Sequence, residues 1–134
     1  MKGIADTGFI IAFLNPDDLY HRWAVDVAPQ FSEPLITAEA VLAEAAYYLR
    51  KTDVVLELVD RGLLRPAFNI LEHLARVLDL AQRYADRQPD LADLCVVRLS
   101  EMFPKHVVVT VDSDFRVYRR NRRDIIPVLM PPKQ

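Results

Sequence analysis

The opening stretch, Ile4-Ala5-Asp6-Thr7-Gly8, constrains this chain more than any other. Two apolar residues run into an acid, and Phe9-Ile10-Ile11-Ala12-Phe13-Leu14 then form an almost unbroken apolar segment, closed by Asn15-Pro16-Asp17-Asp18. The first run is too short for a helix, and Gly8 punctuates it. A short strand passing straight into a buried helix belongs in the middle of a parallel sheet covered on both faces. Asp6 then lies at the carboxyl end of that strand, the edge where open α/β sheets bind ligands. An ionised carboxylate there is costly unless something partners it.

The remaining chain repeats this alternation of short apolar runs and helical patterns. Helices are expected over Thr7–Leu14, Leu19–Phe31 with Asp17 or Asp18 as N-cap, Glu39–Arg50 capped by Thr37, and Thr52–Asp60. Two more are expected over Ile70–Arg83, capped by Asn69, and Leu91–Met102, and a short one runs from the Asp112–Phe115 turn to about Arg120. Strands are expected at Glu33–Thr37, at Leu63–Phe68, which Pro66 pushes to a sheet edge, at Val-rich His106–Val111, and at Ile125–Leu129. The pattern predicts a three-layer α/β/α sandwich on a mainly parallel central sheet. At 134 residues the chain reads as one domain with a real core and a frayed tail from about Met130.

Composition removes several function classes. Hydrophobic residues at 51% and charged residues at 27% exclude a disordered chain. Three glycines leave no room for a glycine-rich phosphate loop. The single Cys95 rules out an internal disulfide and suits a reducing compartment, and His21, His73 and His106 lack zinc-site spacing. Neither a signal peptide nor a membrane-spanning run is visible, so the expectation is a cytoplasmic protein with no membrane partner. The net charge of -2 does not announce nucleic-acid binding, but the charge is unevenly placed.

Acids gather at the ends of apolar elements. Asp6 ends the first strand, Asp90 and Asp93 share one face of the Leu91–Met102 helix at its start, and Asp112 and Asp114 follow the Val-rich strand. Glu44 lies in Leu42-Ala43-Glu44-Ala45-Ala46, the most apolar part of its helix. Taken singly, capping or turn chemistry accounts for most of them. Together they imply a site if the Val-rich strand neighbours the first strand. Several carboxylates sharing a small site repel one another and raise each other's pKa unless a cation joins them. An all-oxygen set suits Mg2+ or Mn2+, and a metal so placed supports hydrolysis of a phosphodiester.

Asp6-Thr7-Gly8 after an N-terminal strand, Glu44 within Val41-Leu42-Ala43-Glu44-Ala45-Ala46, Asp90-Leu91-Ala92-Asp93 opening a helix, and Thr110-Val111-Asp112-Ser113-Asp114-Phe115 after a Val-rich strand resemble, in order and spacing, the PIN-domain ribonucleases. Asn15–Ala24, with His21 and Trp23, is similar to that group as well, and the closest likeness within it is to the VapC toxins of toxin–antitoxin pairs. The resemblance runs from Lys2 to about Pro127. It implies a PIN-like nuclease domain over residues 1–134, an acidic quartet of Asp6, Glu44, Asp93 and Asp112, and Asp90 and Asp114 as neighbouring metal ligands. Asp90 and Asp93 compete for the third place and Asp112 and Asp114 for the fourth; Asp93, before a more apolar run, and Asp112, nearer the strand, are favoured. Thr7 and Thr110 match supporting positions. The resemblance further implies Mg2+- or Mn2+-dependent cleavage of RNA, a homodimer, and a cognate antitoxin.

Arg116, Arg119, Arg120, Arg122 and Arg123 form one dense basic patch with Tyr118 interleaved, directly after Asp112 and Asp114. Such a patch suits contact with RNA phosphates, with the aromatic ring stacking on a base, or contact with an acidic antitoxin segment. Tyr47 and Tyr48 read either as core or as part of an antitoxin groove. Two alternatives remain on sequence grounds: a binding module for RNA or an antitoxin with little activity, and a metal-dependent phosphatase or DNA nuclease using the same acids.

Overall fold

A computed structural model describes residues 1–133. Five short strands, β1 (Gly3–Ala5), β2 (Leu35–Thr37), β3 (Leu64–Pro66), β4 (Val107–Val109) and β7 (Val128–Leu129), build one parallel sheet in the order β3-β2-β1-β4-β7. A separate antiparallel hairpin joins β5 (Arg119–Arg120) to β6 (Asp124–Ile125). Among the described residues there are six α-helices: α1 (Thr7–Leu14), α2 (His21–Val27), α3 (Glu39–Leu49), α4 (Thr52–Asp60), α5 (Leu74–Arg83) and α6 (Leu91–Met102). None of them is long and apolar enough to cross a membrane.

The sheet is the expected three-layer α/β/α sandwich, and its topology places the site. From β1 to β2 and β2 to β3 the chain steps one way; from β4 to β7 it steps the other. Right-handed crossovers stepping in opposite directions put their helices on opposite faces and open a crevice where the direction reverses. That point lies between β1 and β4, which pair in register Ile4↔Val108 and Ala5↔Val109. Ile4, Ala5, Val108 and Val109 are fully buried, as central parallel strands must be. Pro66 sits on the edge strand β3, where its missing N–H costs no ladder bond.

Several boundaries differ from expectation. The second helix ends at Val27, and Ala28–Gln30 continues as a 3-10 turn with Pro29 inside it. Its start is set by the Asp18 carboxylate and carbonyl, which accept from Tyr20 N–H and His21 N–H, while Tyr20 holds the cap position. Thr37 does not cap α3; its hydroxyl donates to the Ala5 carbonyl and stitches β2 to β1. The fifth helix opens with a 3-10 turn over Ile70–His73, where the Asn69 side chain accepts from Leu71 N–H as expected of a cap. The Val-rich strand is shorter than read, because after Val109 the chain turns toward the site. The last expected strand is split at Ile126-Pro127: Asp124–Ile125 pairs in the hairpin, while Val128–Leu129 joins the sheet beside β4. The segment after Asp112 forms only a 3-10 turn, Ser113–Arg116. Residues Met130–Lys133 carry no regular structure, and Gln134 of the expected tail lies outside the described residues.

The hairpin is anchored to the body through Glu101. That carboxylate, 1% exposed, accepts from Arg76 Nε and Nη2, from Arg98 Nη1 and from the Asn121 N–H. Asn121 and Arg122 both adopt positive φ in the hairpin turn, so the Glu101 bond holds a strained backbone in place.

Candidate active site

Asp6 follows β1 and is 3% exposed. It occupies the cap position of α1, yet its side chain makes no capping bond. Its Oδ2 accepts from the Thr110 hydroxyl at 2.6 Å, and its Oδ1 is buried with no hydrogen-bond partner among the described residues. The neighbouring Thr7 hydroxyl oxygen is likewise buried without one. Buried polar atoms left unpaired are rare and call for an explanation.

Thr110 ties two of the acidic segments together. While donating to Asp6, its hydroxyl accepts from the Asp112 N–H at 2.9 Å. Asp112 in turn uses Oδ1 to accept from the Asp114 N–H, which sets the Ser113–Arg116 turn. Close approach of the two segments depends on Gly8: a Cβ there would run into Val111 Cγ2. Asp93, in the first turn of α6, is partly exposed, and its Oδ2 receives the Tyr118 hydroxyl at 3.4 Å. Glu44, half-buried on α3, faces the same space, and α3 packs directly on α6.

Electrostatics couples Asp6 and Asp93 to their acidic neighbours. Burial, first, pushes the Asp6 carboxyl up to about 6; the bonded Thr110 hydroxyl and the Thr7 amide, which lies close but outside hydrogen-bond geometry, pull it back, while the Asp112 and Glu44 charges add to the rise. Burial likewise leads in raising Asp93 to about 7, reinforced by Asp6, Asp112, Asp90 and Glu44. Glu44 and Asp112 thus act on both carboxyls, and Asp6 and Asp90 act on Asp93. Asp114 is turned aside and pairs with Arg87, Oδ1 to Nη2 at 3.1 Å. Asp90 is exposed and, like Asp6, caps its helix by backbone position without a side-chain bond. Among the described residues no three acid, histidine or cysteine side chains close on one point tightly enough to grip an ion as they stand.

Family comparison bears on what such a cluster is for. The PIN-domain family model matches residues 4–121. The chain belongs to the PIN-domain family. PIN domains are in general metal-dependent nucleases, and the three-layer sandwich with its parallel sheet is the PIN fold. Comparison with curated proteins returned no match.

The donor set of this PIN domain fits a hard divalent cation. Asp6 Oδ1 is an unpaired buried carboxylate oxygen, and every acid that acts on it offers oxygen alone. The basic patch is arranged otherwise than its sequence density suggests. Arg119 Nη1 donates to the carbonyls of Arg116, Val117 and Tyr118, and Arg120 Nη1 donates to those of Ser100 and Pro104 at the far end of α6. Arg116, Arg122 and Arg123 are exposed and make no side-chain bond among the described residues. Tyr118 is fully buried against Phe115 and Tyr84, so its ring offers no face to a base; its hydroxyl serves Asp93 instead.

Arg87 and the role of the Tyr118 hydroxyl were not legible in sequence. Tyr118 stood out only for its ring within the arginine patch, Arg87 sits in no motif, and only the fold brings them to the acids. His21 and Trp23 lie elsewhere: His21 Nδ1 pairs with the Ala12 carbonyl, and Trp23 packs edge-on against Phe9. Tyr47 and Tyr48 are not core; they are 70% and 67% exposed, with the Arg50 guanidinium over the Tyr47 ring.

Proposed function

We propose that this PIN domain is an endoribonuclease dependent on Mg2+ or Mn2+, acting as the VapC-like toxin of a toxin–antitoxin pair in the cytoplasm, with residues 1–134 as one functional unit. The observation that carries this reading is the buried, unpaired Asp6 Oδ1 beside the charges of Glu44, Asp93 and Asp112.

Asp6, Glu44, Asp93 and Asp112 would hold the cation, with Asp90 and Asp114 at the rim. When bound, such an ion activates water and braces the departing oxygen of a phosphodiester. The protein supplies orientation. Thr110 engages one oxygen of Asp6 and leaves the other free, and the same hydroxyl fixes the backbone of Asp112. The Asp114 N–H engages one oxygen of Asp112, and Tyr118 engages one oxygen of Asp93. Each of these three acids thus has one carboxylate oxygen held by the protein and the other left without a protein hydrogen bond among the described residues. Exposed Arg116, Arg122 and Arg123 suit RNA phosphate contacts. Arg119 and Arg120, bound to backbone carbonyls, act first as supports of the turn and hairpin.

Two surfaces suit protein partners. Tyr48 lines a cleft with Leu14, Pro16, Leu49 and Val54, beside exposed Tyr47 in the chain, and fits the apolar face of an antitoxin helix. Ile70, Leu71, Leu74 and Leu78 expose one strip that approaches Leu91, and fit a homodimer interface.

The decisive experiment incubates purified protein with RNA, single-stranded DNA and a small phosphate monoester, each with Mn2+, Mg2+ or chelator. Metal-dependent cleavage confined to RNA, abolished by Asp6→Asn in a folded protein, is the expected result. Equal turnover of DNA or of the monoester would redirect the assignment. Calorimetric titration with Mn2+ separates enzyme from binding module: heat lost in Glu44→Gln and Asp93→Asn is expected, and no heat from the parent protein would favour the module.

A further inference from the structure

We propose that Arg87 contacts an RNA backbone phosphate beside the cleaved one, and that Asp114 holds it ready in the free protein. The inference rests on the endoribonuclease reading of the acidic site.

The acids of the site pose a problem for a polyanionic substrate. Asp6, Glu44, Asp90 and Asp112 all act on Asp93, and Asp114 follows Asp112 in the Ser113–Arg116 turn. A bound cation offsets part of this charge at the cleaved phosphate, but the neighbouring phosphates still meet repulsion. Exposed Arg116, Arg122 and Arg123 answer this on the turn and hairpin, and a further cation beside the start of α6 would answer it next to Asp90 and Asp93. Arg119 and Arg120 are not placed for it: their guanidinium groups are bound to carbonyls, and Arg120 sits at the C-terminal end of α6, roughly 15 Å along the helix from the acids at its start.

Arg87 is placed for it. It ends the 3-10 turn Ala85–Arg87, three positions before Asp90, and its N–H is bound to the Tyr84 carbonyl. Gln88 then takes a positive φ and turns the chain into α6, so Arg87 stands beside the start of the helix that carries Asp90 and Asp93. Its side chain is 38% exposed, and one Nη2 bond to Asp114 leaves most of its five donors open to solvent. An exposed ion pair of this kind contributes little and exchanges partners readily. A phosphate oxygen is a suitable new partner for the guanidinium fork. The Arg87–Asp114 pair thus keeps the cation at the rim until the strand arrives.

The test measures binding of a short fluorescein-labelled single-stranded RNA of mixed sequence in chelator, across a salt series, and cleavage kinetics in Mn2+. Arg87→Ala is expected to weaken binding roughly five- to tenfold, to lower the slope of log affinity against log salt by about 0.7, and to raise KM far more than it lowers kcat. Arg87→Lys should restore most of the slope. If Arg87 merely pins the Ser113–Arg116 turn, Asp114→Ala will reproduce the Arg87→Ala loss of slope; if Arg87 meets phosphate, Asp114→Ala leaves the slope intact. An unchanged slope and KM in Arg87→Ala, or a matching loss in Asp114→Ala, overturns the proposal while the nuclease reading stands. RNA binding that loses slope on Arg87→Ala, in a protein that never cleaves RNA, keeps Arg87 as a phosphate contact and removes the nuclease reading. Absence of both RNA binding in chelator and RNA cleavage in Mn2+ by the parent protein overturns both.

Discussion

The Thr110 hydroxyl lies 2.6 Å from Asp6 Oδ2, bridging the ends of the two central strands through side chains 104 positions apart in sequence. Because the same oxygen accepts from Asp112 N–H, one buried hydroxyl determines how two acidic segments face each other.

Thr110→Val keeps the shape and removes both bonds. It leaves the Asp112 N–H without its acceptor and Asp6 without its donor, at a cost of about 1–3 kcal/mol. Urea unfolding of the metal-free protein should show this loss, and Mn2+ affinity should fall with it. Unaltered stability and affinity would mean that the bridge contributes nothing.

The raised carboxyls make a prediction with a definite sign. Asp6 at about 6 and Asp93 at about 7 both lie above their unfolded value of 3.8, so the native state binds more protons than the unfolded state between these limits. Metal-free stability should therefore fall as pH rises from about 4 through about 7, by up to roughly 3 kcal/mol from Asp6 alone. Asp6→Asn should flatten this profile and be the more stable protein at pH 8, with no advantage near pH 4. Saturating Mn2+ should reverse the trend in the parent protein. Thermal melts across pH read all three, and a parent profile that climbs toward pH 8 without metal would contradict the electrostatics.

Gly8→Ala drives a Cβ into Val111 Cγ2, where the first turn of α1 meets the segment between Thr110 and Asp112. A cost of about 1–3 kcal/mol is expected from overpacking. Shortening the obstacle should relieve it, so Gly8→Ala with Val111→Ala should be less destabilised than the two single losses added together. Simple additivity in a double-mutant cycle would show that the contact is not the cause.

Glu101→Gln leaves Arg76 and Arg98 beside an uncharged group in a largely buried cluster, and about 3 kcal/mol or more should be lost. Burial alone would raise the Glu101 carboxyl, but hydrogen bonds from Arg76, Asn121 and Arg98, with the Arg76 charge, together hold it below its ordinary value. This contribution is therefore present at neutral pH and disappears as pH falls through the acid range. Hydrogen exchange should quicken first at Arg119–Ile125, since Asn121 N–H loses its charged acceptor. Protection in the hairpin equal to that of the parent protein would exclude the anchoring role.

What the sequence determined by itself was the alternation of elements and the acids at their ends. Ile4-Ala5, Leu35-Ile36 and Val107-Val108-Val109 are short, apolar and flanked by turn residues, which suffices for buried parallel strands whatever their order. Asp6 and Asp112 stood out because each ends an apolar run, and Asp93 because it opens one. The extent of Val107–Val109 and the split of Ile125–Leu129 were not legible, since pairing partners, not local propensity, decide where a strand stops. The arginines show the same limit more sharply. Five within eight residues read as one surface patch, yet Arg119 and Arg120 are bound to carbonyls, and Arg87, alone in its segment, stands beside the acids. Local pattern reports which face of an element is apolar. Which charge meets which depends on strand order and helix packing, set by contacts between residues far apart in the chain, and so only the tertiary structure decided that Thr110 and Asp112 would stand against Asp6.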